Sequence, residues 1–497
     1  MRYSYESPAN TKWGLKSEFN PNVVDPLTGL MGAITNPNGS LYNADHKNFA
    51  PRLGLSWNFA PKFVFRGSID VFTQDVMPQL GQDNYLATAQ VQQPSGNPYP
   101  AFYLSQGPGP ITYTINGSTD TANYVGTNYS ARTATYIDPN LRNPYSMTWA
   151  SGFQWEFKPN QVAEVVYQGS NGVGLVPSAG VASSTTAPNP GNAVNINVLP
   201  LSIYQSTNTT LLSQVYASSQ NYLTYPQFGT VTYYGNYGHS TYNALTARLE
   251  RRFNNGFSYN FLFTWSKNLA GTAGSGEQFY DWNLTKGPTA TDVKFMGVAT
   301  ATYDLPFGKH RKYLNWNTTA GYIGDVLVGG WTFTTIQSMR TGEPVFFTMA
   351  GSPYKQLPGQ TIPNIVPGQK INVPNYTVGT NLWPQSNQDP FFNINAFSYP
   401  GNYQNGDAGV GIARAGNVWW PEYSLYKSWS YREKFKITVR FDGHNVLPKT
   451  RAFLAPNTVV NITSPQSFGR FAPLTGYSYS NWYTPNPNWQ GILRIEF

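Results

Sequence analysis

Only 11% of the 497 residues are charged, against roughly a quarter in ordinary soluble domains, while 16% are aromatic. The net charge of +8, from 32 basic and 24 acidic residues, is spread along the chain and describes no nucleic-acid surface. With no cysteine, disulfide scaffolds, thiolate metal sites and cysteine nucleophiles are excluded, and no run approaches the ~20 apolar residues of a membrane helix.

The 46 glycines and 38 prolines, with no long 3.6-residue apolar period, predict an all-β chain with long loops. The start, MRYSYESPANTKWGLKSEF, lacks the charged and apolar regions of an export signal. Arg2 to Glu6 reads as a strand end, and a loop follows to about Lys47. In NFAPRLGLSWNFAPKFVFRGSIDVF, Leu53, Leu55, Trp57 and Phe59 alternate with polar or small residues. Ala60-Pro61-Lys62 turns, and Phe63, Phe65, Ile69 and Val71 return, which predicts a hairpin with one apolar face. After a long stretch to about residue 143, the next hairpin aligns Tyr145, Met147, Trp149, Phe153, Trp155 and Phe157 opposite Ser146, Thr148, Gly152, Gln154 and Glu156. Lys158-Pro159-Asn160 turns it. A loop from about 169 to 240 leads to the strongest hairpin, TYNALTARLERRFNNGFSYNFLFTWSKN. There Phe257, Tyr259, Phe261, Phe263 and Trp265 share a face, and Asn254-Asn255-Gly256 is a turn that tolerates positive φ.

Further strands are expected from Val293 to Tyr303, Gly330 to Arg340, Glu422 to Ser430 and Lys434 to Asn445, and in the closing WQGILRIEF. That makes about twelve. Connections at 60–62, 158–160, 254–256 and 431–433 are short, and 304–329 is intermediate. The others run from about twenty to about eighty residues, and all fall on one side, as in porins. Trp57, Trp155, Trp265 and Trp489 sit near strand ends, like an interfacial girdle. Only a closed barrel satisfies every backbone group of such strands in lipid. The expected fold is an antiparallel transmembrane β-barrel in the cell outer membrane, with long extracellular loops.

Several stretches resemble the C-terminal barrel of Oar-like TonB-dependent receptors. They are NFAPRLGLSW with VFRGSIDVF, STYNALTARLERRFNNGFSYNFLFTWSKNL, YDLPFGKHRKYL with VGGWTFTTIQSMRTGEPV, YSLYKSWSYREKFKITVRFDGHNV, and the final LRIEF. The resemblance covers nearly the whole chain in scattered blocks. It implies that 1–497 is one partial receptor barrel, about half of a 22-strand barrel, with plug, TonB box and signal peptide absent. It implies outer-membrane lipid and the barrel assembly machinery as partners, and the TonB complex only through the missing plug. Terminal Phe497, behind Leu493 and Ile495, resembles the signal that outer-membrane assembly reads.

No catalytic constellation is visible. His46, His239, His310 and His444 lack ligand spacing, no G-x-S-x-G elbow occurs, and GTAGSG at 271–276 departs from a P-loop. No enzyme activity, metal or cofactor is expected. Asp70, Glu156, Glu164 and Glu250 are candidate paired carboxylates, but alternation places them on polar strand faces. The expected lumen lining is therefore Arg66, Asp70, Glu156, Arg248, Glu250, Lys294, Arg440 and Arg494, with ionic pairs across the lumen helping to fix strand register. Lys427 shares a face with Tyr423, Leu425 and Trp429, so its stem must snorkel at an interface. The expected function is TonB-dependent uptake of a large nutrient (a carbohydrate, peptide or siderophore) held by the external loops. The alternatives are a soluble secreted all-β carbohydrate-binding protein and a structural barrel without transport.

Overall fold

The computed structural model describes residues 1–8, 18–25, 28–35, 40–75, 133–176, 194–271, 276–281, 284–309, 311–315, 319–373, 390–431, 435–444, 446, 460–469 and 488–497. Eleven strands in chain order form one antiparallel wall. They are β1 (Arg52–Ala60), β2 (Phe63–Thr73), β3 (Tyr145–Lys158), β4 (Gln161–Leu175), β5 (Gly238–Asn254), β6 (Phe257–Gly271), β7 (Phe295–Asp304), β8 (Thr332–Arg340), β9 (Val418–Tyr431), β10 (Phe435–His444) and β11 (Asn488–Glu496). Gly287–Pro288 pairs briefly with the far end of β6 and is the twelfth member of the sheet.

The tight turns form where the chain tolerates a left-handed backbone. Asn255 and Gly256 both take positive φ, 53° and 75°, which is what a two-residue turn between right-twisted strands requires. In Pro61–Lys62 and Pro159–Asn160 the proline restricts its own φ and the next residue takes the positive one, 70° and 62°. A bulge in the adjoining strands absorbs the mismatch.

Register then sorts the side chains. Phe65, Phe153, Val165, Ala247 and Phe263 are opposed in series across five strands, so one face is continuously apolar. That face is bare: Leu53, Phe153, Phe261 and Leu493 are 71, 57, 44 and 65% exposed. The buried apolar clusters lie elsewhere, in the long connections.

Those connections correct the expectation of irregular loops. Glu18–Val24 and Met31–Thr35 form a hairpin. Thr230–Tyr234 pairs in parallel with Thr133–Ile137 and antiparallel with Val194–Asn195. Helix α1 (Thr209–Ala217) starts on Asn208, whose side-chain oxygen accepts from the Thr210 and Leu211 N–H groups. Helix α2 (Thr319–Val328) fills the connection between β7 and β8. None shows in the apolar period of the sequence because each is short and leans on residues far away. Residues 272–275 of GTAGSG and most of 73–143 lie outside the described residues.

Among the described residues the wall does not close: β1 and β11 pair with nothing on their outer sides. Eleven antiparallel strands alternate in direction, so these two run the same way. Just before β1, Phe49–Ala50 pairs antiparallel with Arg2–Tyr3.

Candidate functional site

The polar face carries its charges in a patch toward the tight turns. Gln154 opposes Glu164, which opposes Arg248 on the next strand. Arg66, Ser68, Gln154 and Glu164 border one depression of about 220 Å³. Glu164, Arg248, Glu250 and Arg252 border a smaller one of about 50 Å³. Arg248 makes an ion pair with Glu250 at 2.6 Å and donates its Nε–H to Asn260 at 3.3 Å. Arg440 pairs with Asp442 at 2.7 Å and Arg494 with Glu496 at 2.6 Å.

These pairs differ from the cross-lumen bridges expected. All three run along one strand, between residues two apart. Such residues share a face, and a long Arg side chain spans the gap, so the pairs do not fix register. Lys436–Glu496, at 3.5 Å, does join two strands. Asp70 opposes Arg52 and Thr148 on the same face. Glu156 sits at the bulge ending β3, its N–H donating to the Lys62 carbonyl. Lys294 lies one residue before β7, its ammonium 5.2 Å from the centre of the Phe295 ring. Phe497 lies beyond β11, fully exposed. Gln154, read on the polar face but not among the lumen lining, and Arg252, not singled out, join this patch; both stand beside bulges where alternation blurs.

At the other end, the connections fold over one another. Phe347, Phe392, Phe397 and Phe468 build one buried cluster, with Phe347 and Phe397 rings 4.3 Å apart. Leu212 and Val215 of α1 bury with Leu357, from a connection far along the chain. Gln360 is the polar link: its amide donates to the Glu277 carboxylate at 3.1 Å and to the Tyr403 carbonyl at 2.9 Å. Burial holds the Glu277 carboxyl above its ordinary range, partly offset by that Gln360 bond. Burial beside Glu277 likewise raises the Tyr204 hydroxyl. At the base, Asp292 is only 1% exposed and forms an ion pair with Arg414, which also donates to the Asp292 and Gly342 carbonyls. Sequence separation hid this clasp, since 122 residues divide its partners.

A family model described as an outer membrane beta barrel domain matches residues 1–479. The chain belongs to this family. Its place is the outer membrane, and the bare apolar face meets lipid. The soluble secreted all-β alternative is thereby overturned, since its aromatic face would be a covered core. No helix among the described residues is long and apolar enough to cross a membrane; the strands of this outer-membrane barrel domain do so.

Solved structures similar to the domain include the outer membrane transporter YddB from Escherichia coli, at 9% identity and a TM-score of 0.38, covering 92% of this chain and 41% of that one. The FrpB iron transporter from Neisseria meningitidis is similar at 8% identity and a TM-score of 0.31, over 79% of this chain and 34% of that one. The domain thus spans less than half the length of these transporters. A comparison with curated proteins finds no match.

Lys427 does not reach water by snorkelling, which its place on the apolar face leads one to expect. It is 5% exposed, and its ammonium donates to the carbonyls of Asp325 and Val326 at the end of α2.

Proposed function

We propose that this domain is part of the wall of a wider outer-membrane receptor, in which the polar face lines an aqueous lumen and the folded connections bind ligand at the outer mouth. The observation that carries this is the open sheet: among the described residues, β1 and β11 point the same way and pair with nothing on their outer edges. Pairing them with each other would make a parallel seam, in a class of barrel whose strands are antiparallel and even in number. An odd number of further strands gives antiparallel seams throughout. Two bare edges in lipid would be costly, because no water satisfies their N–H and C=O groups. The antiparallel pair Arg2–Tyr3 with Phe49–Ala50 is consistent with that pairing direction.

The resemblance to Oar-like TonB-dependent receptors supports energised uptake of a large ligand. On this reading Arg66, Asp70, Glu156, Arg248, Glu250, Lys294, Arg440 and Arg494 line the lumen, and Phe497 belongs to the signal read by the barrel assembly machinery. A plug outside this chain would make the TonB contact.

Immunoblotting of outer membranes with an antibody against the mouth tests this. The expected band is heat-modifiable and larger than the present chain. A heat-modifiable band of this chain's own length, closed without further strands, would refute the reading. The uptake step is tested by deletion: loss of energy-dependent accumulation of a ligand is expected, and unchanged accumulation across the substrate classes named above would leave a structural barrel.

A further inference from the structure

On the tight-turn side, Pro61–Lys62, Pro159–Asn160 and Asn255–Gly256 each connect strands in two residues. The connection from Leu305 to Trp331 does not. Its first part folds into a knob: the Tyr313 N–H donates to the Pro306 carbonyl, and the Gly308 N–H to the Tyr313 carbonyl, both at 2.9 Å. Its second part is α2, which ends against the lipid face of the wall.

Three contacts hold α2 there. Helix ends leave carbonyls without intrahelical partners, and a cation is favoured beside them. Lys427 supplies it, bonded to the Asp325 and Val326 carbonyls at 2.8 and 2.9 Å. Lys427 shares its face with Leu425, which opposes the exposed Phe441. The Trp331 indole N–H donates to the Leu327 carbonyl at 2.8 Å, and its ring packs 6.3 Å from Phe441. The Asp325 carboxylate accepts from the Lys309 N–H at 2.5 Å and so ties helix to knob.

The outer surface of this assembly is apolar and basic together. Val326, Leu327 and Val328 are exposed, Leu327 by 69%, as are Phe307, Tyr313 and Leu314. Lys309, Arg311 and Lys312 occupy three of four consecutive positions. Among the described residues, Asp304 lies 3.6 Å from Arg311, and the Asp325 carboxylate meets the Lys309 backbone N–H. An apolar tip beside a cationic rim, at the depth where the tight turns leave the membrane, suits the boundary between acyl chains and headgroups.

We propose that α2 and the knob built from residues 305–309 and 311–314 form an interfacial anchor. It inserts Val326–Val328 among the acyl chains of the leaflet on the tight-turn side and holds anionic phospholipid headgroups on Lys309, Arg311 and Lys312. The inference rests on the wall reading. It goes beyond that reading by assigning a lipid site to a connection that barrel closure does not need.

These 497 residues hold no cysteine, so with any cysteine elsewhere in the polypeptide replaced by serine a single label reports one position. Leu327→Cys, the wall control Phe261→Cys and the polar-face control Thr300→Cys are each labelled with an environment-sensitive fluorophore. The complete polypeptide is then studied in isolated outer membranes and in vesicles of phosphatidylcholine with or without phosphatidylglycerol. The label at 327 should emit as from a bilayer interface. A spin label on the phosphatidylglycerol headgroup should quench it severalfold more than the same label on phosphatidylcholine. The combined Lys309→Gln, Arg311→Gln, Lys312→Gln variant should lose that preference while keeping the interfacial emission.

Water-like emission at 327 with lipid-like emission at 261 would overturn the anchor alone. Equal quenching by both headgroups would overturn the anionic site. Shielding of 327 only in whole outer membranes would assign the surface to a protein and overturn the lipid proposal. Water-like emission at 261 as well would sink the wall reading and the anchor with it.

Discussion

The wall and the mouth solve opposite problems with the same aromatic residues. In the wall, Phe153, Phe261 and Trp265 stand bare on one face, because lipid is their solvent. In the mouth, Phe19, Phe228, Phe392 and Phe468 are at most 1% exposed, as in a soluble core, because water is outside. Backbone pairing, more than side-chain burial, holds the wall. Apolar burial between distant segments holds the mouth. A substitution should therefore be felt differently in each.

The largest expected effect is in the mouth. Phe392→Ala removes a ring that packs at 5.2 Å against Phe347, and should cost about 3–5 kcal/mol of local stability. Proteolysis of intact cells should then cut the mouth, while the heat-modifiable barrel survives. Loss of the barrel with the mouth would show that the two regions are one cooperative unit.

Next is the wall. Phe261→Arg near mid-bilayer should cost about 2–4 kcal/mol, whereas Asn260→Arg, one residue before it and facing the polar side, should cost well under ~1 kcal/mol. Refolding into vesicles under a urea series would measure both. Equal costs would break the assignment of the two faces. Third, Arg414→Met strands the carboxylate of Asp292 in a buried place. Losing one partner of a buried pair costs about 3 kcal/mol or more, and the part-exposed Arg414 puts this case at or below that figure. Faster hydrogen exchange at Asn268, whose N–H donates to the Asp292 carboxylate, and at Ala415, next to Arg414, with β3 and β4 unchanged, is the expected readout.

The wall was legible in sequence because period-two alternation is local: five alternate aromatic residues and Asn255-Gly256 suffice to define β6, its turn and its faces. Even the parity of Arg248, Glu250, Arg440 and Arg494 could be read that way. Whether they pair along or across strands depends on side-chain reach, which alternation does not encode. The mouth was not legible because its cores join residues with no periodic relation. Phe19 meets Phe228, Leu212 meets Leu357, and α1 is too short to show a helical period. Lys427 was conspicuous as a misfit, but its partners lie about a hundred residues upstream, so the sequence could pose the question without answering it.

The smallest expected effect is pH-dependent and confined to the mouth. Glu277 has a folded-state pKa raised above its ordinary value of 4.5, chiefly by burial. An acid with a raised folded pKa binds its proton more tightly when folded. Its contribution is fully present below the unfolded pKa and is lost as pH rises through the folded one. The junction of Glu277, Gln360 and Tyr403 should therefore tighten as pH falls through the window just above 4.5. Exchange of the Gln360 and Leu357 N–H groups, corrected for intrinsic rates, should slow over that interval while strands β3 to β6 stay constant. Glu277→Gln keeps an acceptor for Gln360 and removes the charge, so it should abolish the pH dependence and match the acid-state protection at neutral pH. A variant that still tightens with acid would place the titrating group elsewhere. One that loosens the junction at every pH would mean that the charged Gln360 bond outweighs the cost of burying the carboxylate.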